Sequence, residues 1–127
     1  MEDCIFCKIG NGEIPSKKVY EDDNILAFHD LSPKAPVHVL IIPKKHIASL
    51  EETSDDDTLI LGDLLVKIKL IAKELGLVNG YRLVSNCGKD GMQTVNHLHF
   101  HLMGKRLMQW PPGWLIINVK NINIYCC

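Results

Sequence analysis

The sequence predicts one α+β domain built around an antiparallel sheet. Three observations carry this: strand-like and helix-like segments are mixed without a βαβ rhythm, one strongly amphipathic helix stands mid-chain, and a late segment alternates histidine with apolar residues. At 127 residues the chain suits one domain by the usual range of roughly 100–200 residues. With 46% hydrophobic and 23% charged residues its body is not disordered. A net charge of -1 supplies no broad basic field, so duplex binding by electrostatics alone is excluded and no nucleic-acid partner is expected. Any phosphate must be held locally.

The elements follow in order. Cys4-Ile5-Phe6-Cys7-Lys8-Ile9 suits a short helical turn, closed by Gly10-Asn11-Gly12 and Pro15. Val19-Tyr20-Glu21 and Ile25-Leu26-Ala27-Phe28 read as strands joined by the turn chemistry of Asp22-Asp23-Asn24. Pro33 and Pro36 forbid regular structure until Val37, after which Val37 to Ile42 is a buried strand with one polar group, His38. Leu61, Leu64, Leu65, Ile68, Ile71, Ala72 and Leu75 recur at steps of three and four and trace one helix face. Asp55, Asp56 and Asp57 suit its positive end, Thr53 or Ser54 can cap it, and Gly76 stops it. A strand from Tyr81 to Asn86, a polar loop Cys87-Gly88-Lys89-Asp90-Gly91 and a strand from Thr94 to Met103 complete the set.

The acidic start, Met1-Glu2-Asp3-Cys4, has neither the basic nor the apolar region of a secretory signal. No apolar stretch approaches the ~18 residues of a membrane span, so no membrane association is expected. The expected address is cytoplasmic or nuclear, where the five cysteines are free thiols or metal ligands rather than disulfides. Cys4 and Cys7 form a CxxC pair, Cys87 stands alone, and Cys126 and Cys127 end the chain.

The chemistry concentrates in His97-Leu98-His99-Phe100-His101-Leu102-Met103. In a strand, period two sends His97, His99 and His101 to one face and Leu98, Phe100 and Leu102 to the other. One ion cannot take all three imidazoles. Same-face neighbours lie about 6.6–6.8 Å apart, placing His97 and His101 ~13 Å from each other, whereas metal–nitrogen bonds are about 2.0–2.1 Å. The three histidines must therefore divide their labour.

This segment matches the His-φ-His-φ-His-φ-φ signature of the histidine triad family, φ being apolar. Ile14-Pro15, Glu21-Asp22-Asp23, Ala27-Phe28-His29-Asp30, Ile42-Pro43-Lys44-Lys45-His46-Ile47 and Gln109-Trp110-Pro111-Pro112-Gly113 further resemble the Hint branch, the histidine triad nucleotide-binding proteins. The resemblance spans about residues 4–113. It implies a histidine triad domain over 1–113 with five antiparallel strands, one long and one short helix, and a ten-stranded sheet across a homodimer. It also implies a purine nucleoside phosphoramidase, which cleaves the P–N bond of adenosine or guanosine 5′-phosphoramidates.

By that resemblance His99 is the nucleophile, forming a nucleotidyl-histidine that water hydrolyses. His101 and His38 stabilise the phosphoryl oxygens, and Thr94 stands near the leaving nitrogen. An imidazole with its ordinary pKa near 6.5 suits such an attack at neutral pH, and no metal is needed for it. Asp30 resembles the ribose acceptor. Phe6, Phe28 and Leu31 resemble the base slot, Asn86 reaches toward the phosphate, and His29, Met92, Gln93, Thr94, His99 and His101 complete the nucleotide-binding set that the resemblance implies. Phe6 and Phe28 also suit plain core, Asp30 a turn cap and Asn86 a strand terminator. Gly91-Met92-Gln93-Thr94 departs from the family pattern, which has a second glycine where Met92 stands.

Cys4 and Cys7 with His46 and His97 make up a Cys₂His₂ set for structural zinc, as some histidine triad proteins, mostly bacterial, have; the alternative is two reduced, half-buried thiols. Residues 114–127 run on past the family's usual ending, apolar and Asn-rich, as an added strand, an aggregation hazard or an artefact of gene boundaries. Two other functions fit the same residues: a nucleotide-binding adaptor with vestigial activity, and a dinucleoside polyphosphate hydrolase.

Overall fold

The computed structural model describes residues 3–113; the expectations for 114–127, Cys126 and Cys127 included, lie outside the described residues. Its elements are α1 (Ile5–Gly10), β1 (Lys18–Glu21), β2 (Ile25–His29), β3 (Val37–Pro43), α2 (Thr58–Glu74), β4 (Tyr81–Val84) and β5 (Phe100–Gly104), with 3-10 turns at Leu50–Glu52 and Asp55–Asp57 before α2. The five strands form one antiparallel sheet in the order β1-β2-β3-β5-β4. The expected fold class is therefore the observed one.

Strand alternation divides the sheet into two faces. Ile25 and Ala27 of β2, Val39 and Ile41 of β3, and Leu102 of β5 pack with Leu64, Ile68, Ile71 and Ala72 of α2. On the other face Leu26, Phe28, Leu40 and Ile42 pack with Phe6 and Ile9 of α1. The long helix thus seals one face, while the six-residue α1 covers only part of the second. A helix that short has little stability of its own and is held by what it packs against. The rest of the second face is where the histidines lie.

Several boundaries differ from the sequence reading. β4 ends at Val84 rather than Asn86, because Asn86 turns its amide to the Gly91 carbonyl. The last strand begins at Phe100, not Thr94; residues 94–99 are irregular, since β4 is too short to pair with them. Ser54 caps the Asp55–Asp57 turn through a reciprocal capping box, and α2 starts one step later behind Asp57. Leu65 is half exposed rather than part of the apolar face. Helix termination is as expected: the chain leaves α2 through Gly76 at φ 72°, a left-handed value that suits glycine.

Leu64 is fully buried between α2 and the sheet, so Leu64→Ala costs about 2–5 kcal/mol through lost burial and a residual cavity. Leu59→Ala, at a position 86% exposed on the same helix, changes stability by less than about 0.5 kcal/mol. Urea unfolding of the two variants checks the assignment of the helix face; equal losses would contradict it.

Candidate functional site

One cross-sheet row organises the open face. Register pairs Phe28 with Leu40, Leu40 with His101 and His101 with Val84, so these side chains stand side by side. His38 lies diagonally from His101 on the same face, two residues before Leu40. Its ring meets His101 with Nε2 to Nδ1 2.8 Å apart.

Main-chain partners decide where the protons sit. The Lys34 N–H donates to His38 Nδ1 at 3.0 Å, so Nδ1 is an acceptor and the proton of the neutral ring is on Nε2. That Nε2–H donates to His101 Nδ1, which leaves the His101 proton on Nε2. Burial holds both rings neutral. It lowers the His38 pKa, and with the neighbouring His99 and His38 it pushes His101 down to about 4. Asp30, 3.5 Å from His38 Nε2, opposes the shift of both rings. Asp30, His38 and His101 are also close enough to one another to suggest metal ligation. The tautomer argues against it, because His38 Nε2 bears a proton and has no lone pair to give.

His97 and His99 precede β5. His99 Nδ1 lies 2.7 Å from the His97 carbonyl; a carbonyl only accepts, so Nδ1 carries the proton and Nε2 keeps its lone pair. His97 donates from Nε2 to the Pro43 carbonyl at 2.7 Å, which frees its Nδ1. That nitrogen lies 3.3 Å from Cys4 Sγ and 3.5 Å from Cys7 Sγ, and Cys7 Sγ lies 3.3 Å from His46 Nδ1. His97 thus faces the sulfurs, while the His99 ring meets that of His101 edge to face, centroids 5.2 Å apart.

The cysteine–histidine tetrad fits a tetrahedral cation. All four donor atoms lie within 4.8 Å of one another, and bonds of about 2.3 Å to sulfur and 2.0–2.1 Å to nitrogen require donor separations of about 3.3–3.8 Å. Burial lowers the His97 pKa and so keeps the ring in its ligating form. Burial and the adjacent Cys4 sulfur push the Cys7 thiol up to about 11; a bound divalent ion would reverse this, since coordinated thiols deprotonate. The Pro43 carbonyl is the outer partner that orients a ligating histidine.

A cavity of about 320 Å³ opens beside His38 and His101, lined also by Asp30, Ser32, Lys34, Val84, Asn86 and Met103. His99 is only 4% exposed, with the Phe6 ring edge-on to it at 5.1 Å. Phe6 and Phe28 are buried and meet edge to face, whereas Leu31 is 95% exposed. His29 is exposed and pairs with Val39, which faces α2, so period two puts its side chain on the face opposite His38. Asp30 accepts from the Ser32 N–H with one carboxylate oxygen, leaving the other toward His38. A larger cavity of about 590 Å³ lies at the far end of α2, away from all six histidines.

The loop before the triad is built from its own backbone. Asn86 donates to the Gly91 carbonyl at 2.6 Å, and a Cβ on Gly91 would fall 2.4 Å from the Cys87 carbonyl oxygen. Gln93 accepts from the Gly88 N–H and donates to the carbonyls of Ala48 and Val95. Its side-chain amide is thereby committed to the loop. Met92 adopts φ 59°, the left-handed value a glycine takes without cost, and its side chain is 73% exposed. Thr94 is exposed.

Sequence reasoning missed Lys34, Ser32 and Val84 as lining residues and the Lys34 amide as the group that sets the His38 tautomer. Pro33 and Pro36 were the available signal, since two prolines bracket that amide in a loop with few alternatives. Among the described residues no helix is long and apolar enough to cross a membrane.

A family description, HIT domain, matches residues 11–108. An uncharacterized HIT-like protein of Synechococcus elongatus is 54% identical over 112 residues, covering 88% of this chain and 98% of that one. The 14 kDa zinc-binding protein of Brassica juncea is 50% identical over 113 residues, covering 87% of this chain and all of its own length. Among solved structures, a HIT family hydrolase of Legionella pneumophila superposes with a TM-score of 0.85 at 54% identity, covering 87% of this chain and 100% of that one.

The His101 pKa near 4 against 6.5 in an unfolded chain gives a signed expectation. Between these values the unfolded chain binds the proton and the folded one does not, so stability falls as pH drops from 6.5 towards 4. The urea midpoint of the wild type decreases more from pH 7.5 to 5.0 than that of His101→Asn, which has lost this group. Equal decreases would contradict a neutral His101.

Proposed function

Since the chain belongs to the HIT domain family, we propose that it is a hydrolase of the Hint branch, a purine nucleoside phosphoramidase. The observation that carries this reading is the hydrogen bond from His99 Nδ1 to the His97 carbonyl, which makes Nε2 a bare nitrogen next to two neutral, mutually bonded imidazoles. That is what attack on phosphorus needs: a lone pair on one side and N–H donors for the developing charge on the other.

In this reading the purine sits near Phe6, Phe28 and Leu31, Asp30 takes the ribose hydroxyls, and the phosphate enters the cavity beside Asn86 and His101. His99 Nε2 bonds to phosphorus as the P–N bond breaks, and the amine leaves with a proton relayed from Thr94 or from His101 Nε2. Until that proton is returned, the His38 Nε2–H steadies the His101 ring through the hydrogen bond they share. Water then attacks phosphorus as the P–Nε2 bond breaks, its proton returns to the group that gave one to the amine, and nucleoside monophosphate leaves with His99 neutral and its Nδ1–H kept throughout. Gln93 supports the loop and Met92 borders it, while the exposed His29 side chain is left out of the slot.

Cys4, Cys7, His46 and His97 would hold zinc, which supplies a fixed charged centre tying α1 to the sheet and takes no part in bond breaking. The donor set and the name of the Brassica juncea relative support this. The chain is further read as a cytoplasmic or nuclear homodimer that joins two five-stranded sheets, with no nucleic-acid or membrane partner. The burial of His99 favours a second reading, a nucleotide-binding adaptor with vestigial activity, because only 4% of the residue is exposed to an incoming phosphorus.

Steady-state turnover of an adenosine 5′-phosphoramidate decides between them. His99→Ala is expected to lose at least ~10³-fold in kcat/KM, as for removal of a covalent nucleophile; a wild type no faster than this variant would leave the adaptor reading. Purified wild type should carry about one zinc per chain by elemental analysis, and Cys7→Ser well under half of that; metal-free wild type would overturn the zinc assignment.

A further inference from the structure

We infer that the cysteine–histidine tetrad is a positioning device for the nucleophile as well as a fold staple, with His97 as the residue that joins the two. This rests on the reading of His99 as nucleophile given above. His97 belongs to both groups at once. Its ring supplies Nδ1 to the tetrad, and its own carbonyl accepts the His99 Nδ1–H at 2.7 Å.

Little else aims that carbonyl. The β3–β5 ladder starts at Phe100, so residues 97–99 lack the sheet hydrogen bonds that would fix their peptide planes. What holds them is the His97 ring, clamped between the Pro43 carbonyl and the two sulfurs, one bond from the Leu98 N–H to the Ile47 carbonyl at 2.6 Å, and, at the far end of the segment from the His97 carbonyl, the Ser85 hydroxyl donating to the His99 carbonyl at 3.0 Å. Ile47 follows His46, another member of the tetrad. The same four residues therefore anchor both chain segments that present the His97 carbonyl.

A second route runs through α1. Cys4 and Cys7 flank Phe6, whose ring meets His97 at 5.9 Å and His99 at 5.1 Å, both edge to face. A short helix that depends on its packing is steadied by a cation drawing its cysteines to the sheet, and Phe6 is steadied with it. When the tetrad loosens, the His97 carbonyl and Phe6 lose their fixed places. The proton of His99 is then free to move to Nε2, where it masks the attacking lone pair.

The test uses the full chain labelled with ¹⁵N-histidine at pH 7.5. In the zinc-loaded protein His99 should show a protonated Nδ1 and a bare Nε2. After chelation that signal should shift toward a mixture of tautomers, and single-turnover formation of the nucleotidyl-histidine should slow about five- to tenfold, the scale of one lost hydrogen bond. Binding of the product nucleoside monophosphate should change by less than about threefold. If chelation unfolds the chain, loading with cadmium, a larger ion with longer bonds, keeps it folded, and the His99 nitrogen shifts should then differ from the zinc form. A His99 tautomer that is the same with zinc as in folded metal-free protein, or the same with either ion, overturns the coupling. A metal-dependent tautomer in a protein without phosphoramidate turnover would instead overturn the substrate reading alone.

Discussion

A backbone carbonyl can only accept a hydrogen bond and a backbone N–H can only donate one, and the candidate site depends on that asymmetry throughout. Neutral imidazole has one donor and one acceptor nitrogen, so a single main-chain partner determines the whole ring. The Pro43 carbonyl determines His97, the His97 carbonyl determines His99, and the Lys34 amide determines His38 and, through it, His101. Four similar side chains thereby acquire different jobs. One turns a lone pair toward sulfur, one keeps a bare nitrogen beside its neighbours, and two form a donor relay. Burial makes the arrangement decisive, because it lowers the pKa of His38, His97 and His101 and excludes the doubly protonated ring that would erase the distinction.

The sheet makes these main-chain partners available. Period-two alternation puts Val39, Ile41 and Leu102 against α2 and leaves His38 and His101 on the opposite face. Because α2 completes a core on one side, the other side needs only partial cover, and the six residues of α1 supply it. That incomplete cover leaves both a cavity beside His101 and a cysteine pair within reach of His46 and His97. The same helix brings Phe6 over His99, so access to the buried nitrogen and the integrity of the tetrad are properties of one small element.

The architecture was legible where period and burial agree. The amphipathic run from Leu61 to Leu75 and the apolar run from Val37 to Ile42 each had a pattern that only one element satisfies, and the tetrad of Cys4, Cys7, His46 and His97 has the donor chemistry to be grouped before coordinates exist. The sequence pattern suits one long strand from Thr94 to Met103, but pairing begins only at Phe100. Strand length is set by the partner, and β4 stops at Val84 because Asn86 bonds to its own loop. Asn86 Nδ2 and the Gln93 amide bond to backbone groups of the neighbouring loops, while Asn86 also lines the cavity. A side-chain amide serves either purpose equally well, and sequence carries no signal of which carbonyl lies nearby. Met92 shows the converse: its left-handed backbone explains why a glycine suits that position.

Proton positions are the direct test of this account, and neutron diffraction from crystals grown in heavy water near neutral pH reads them without reference to any activity. The account requires deuterium on Nδ1 of His99 and on Nε2 of His97, His38 and His101, with His99 Nε2 bare. Deuterium on His99 Nε2, with Nδ1 bare against the His97 carbonyl, would contradict it.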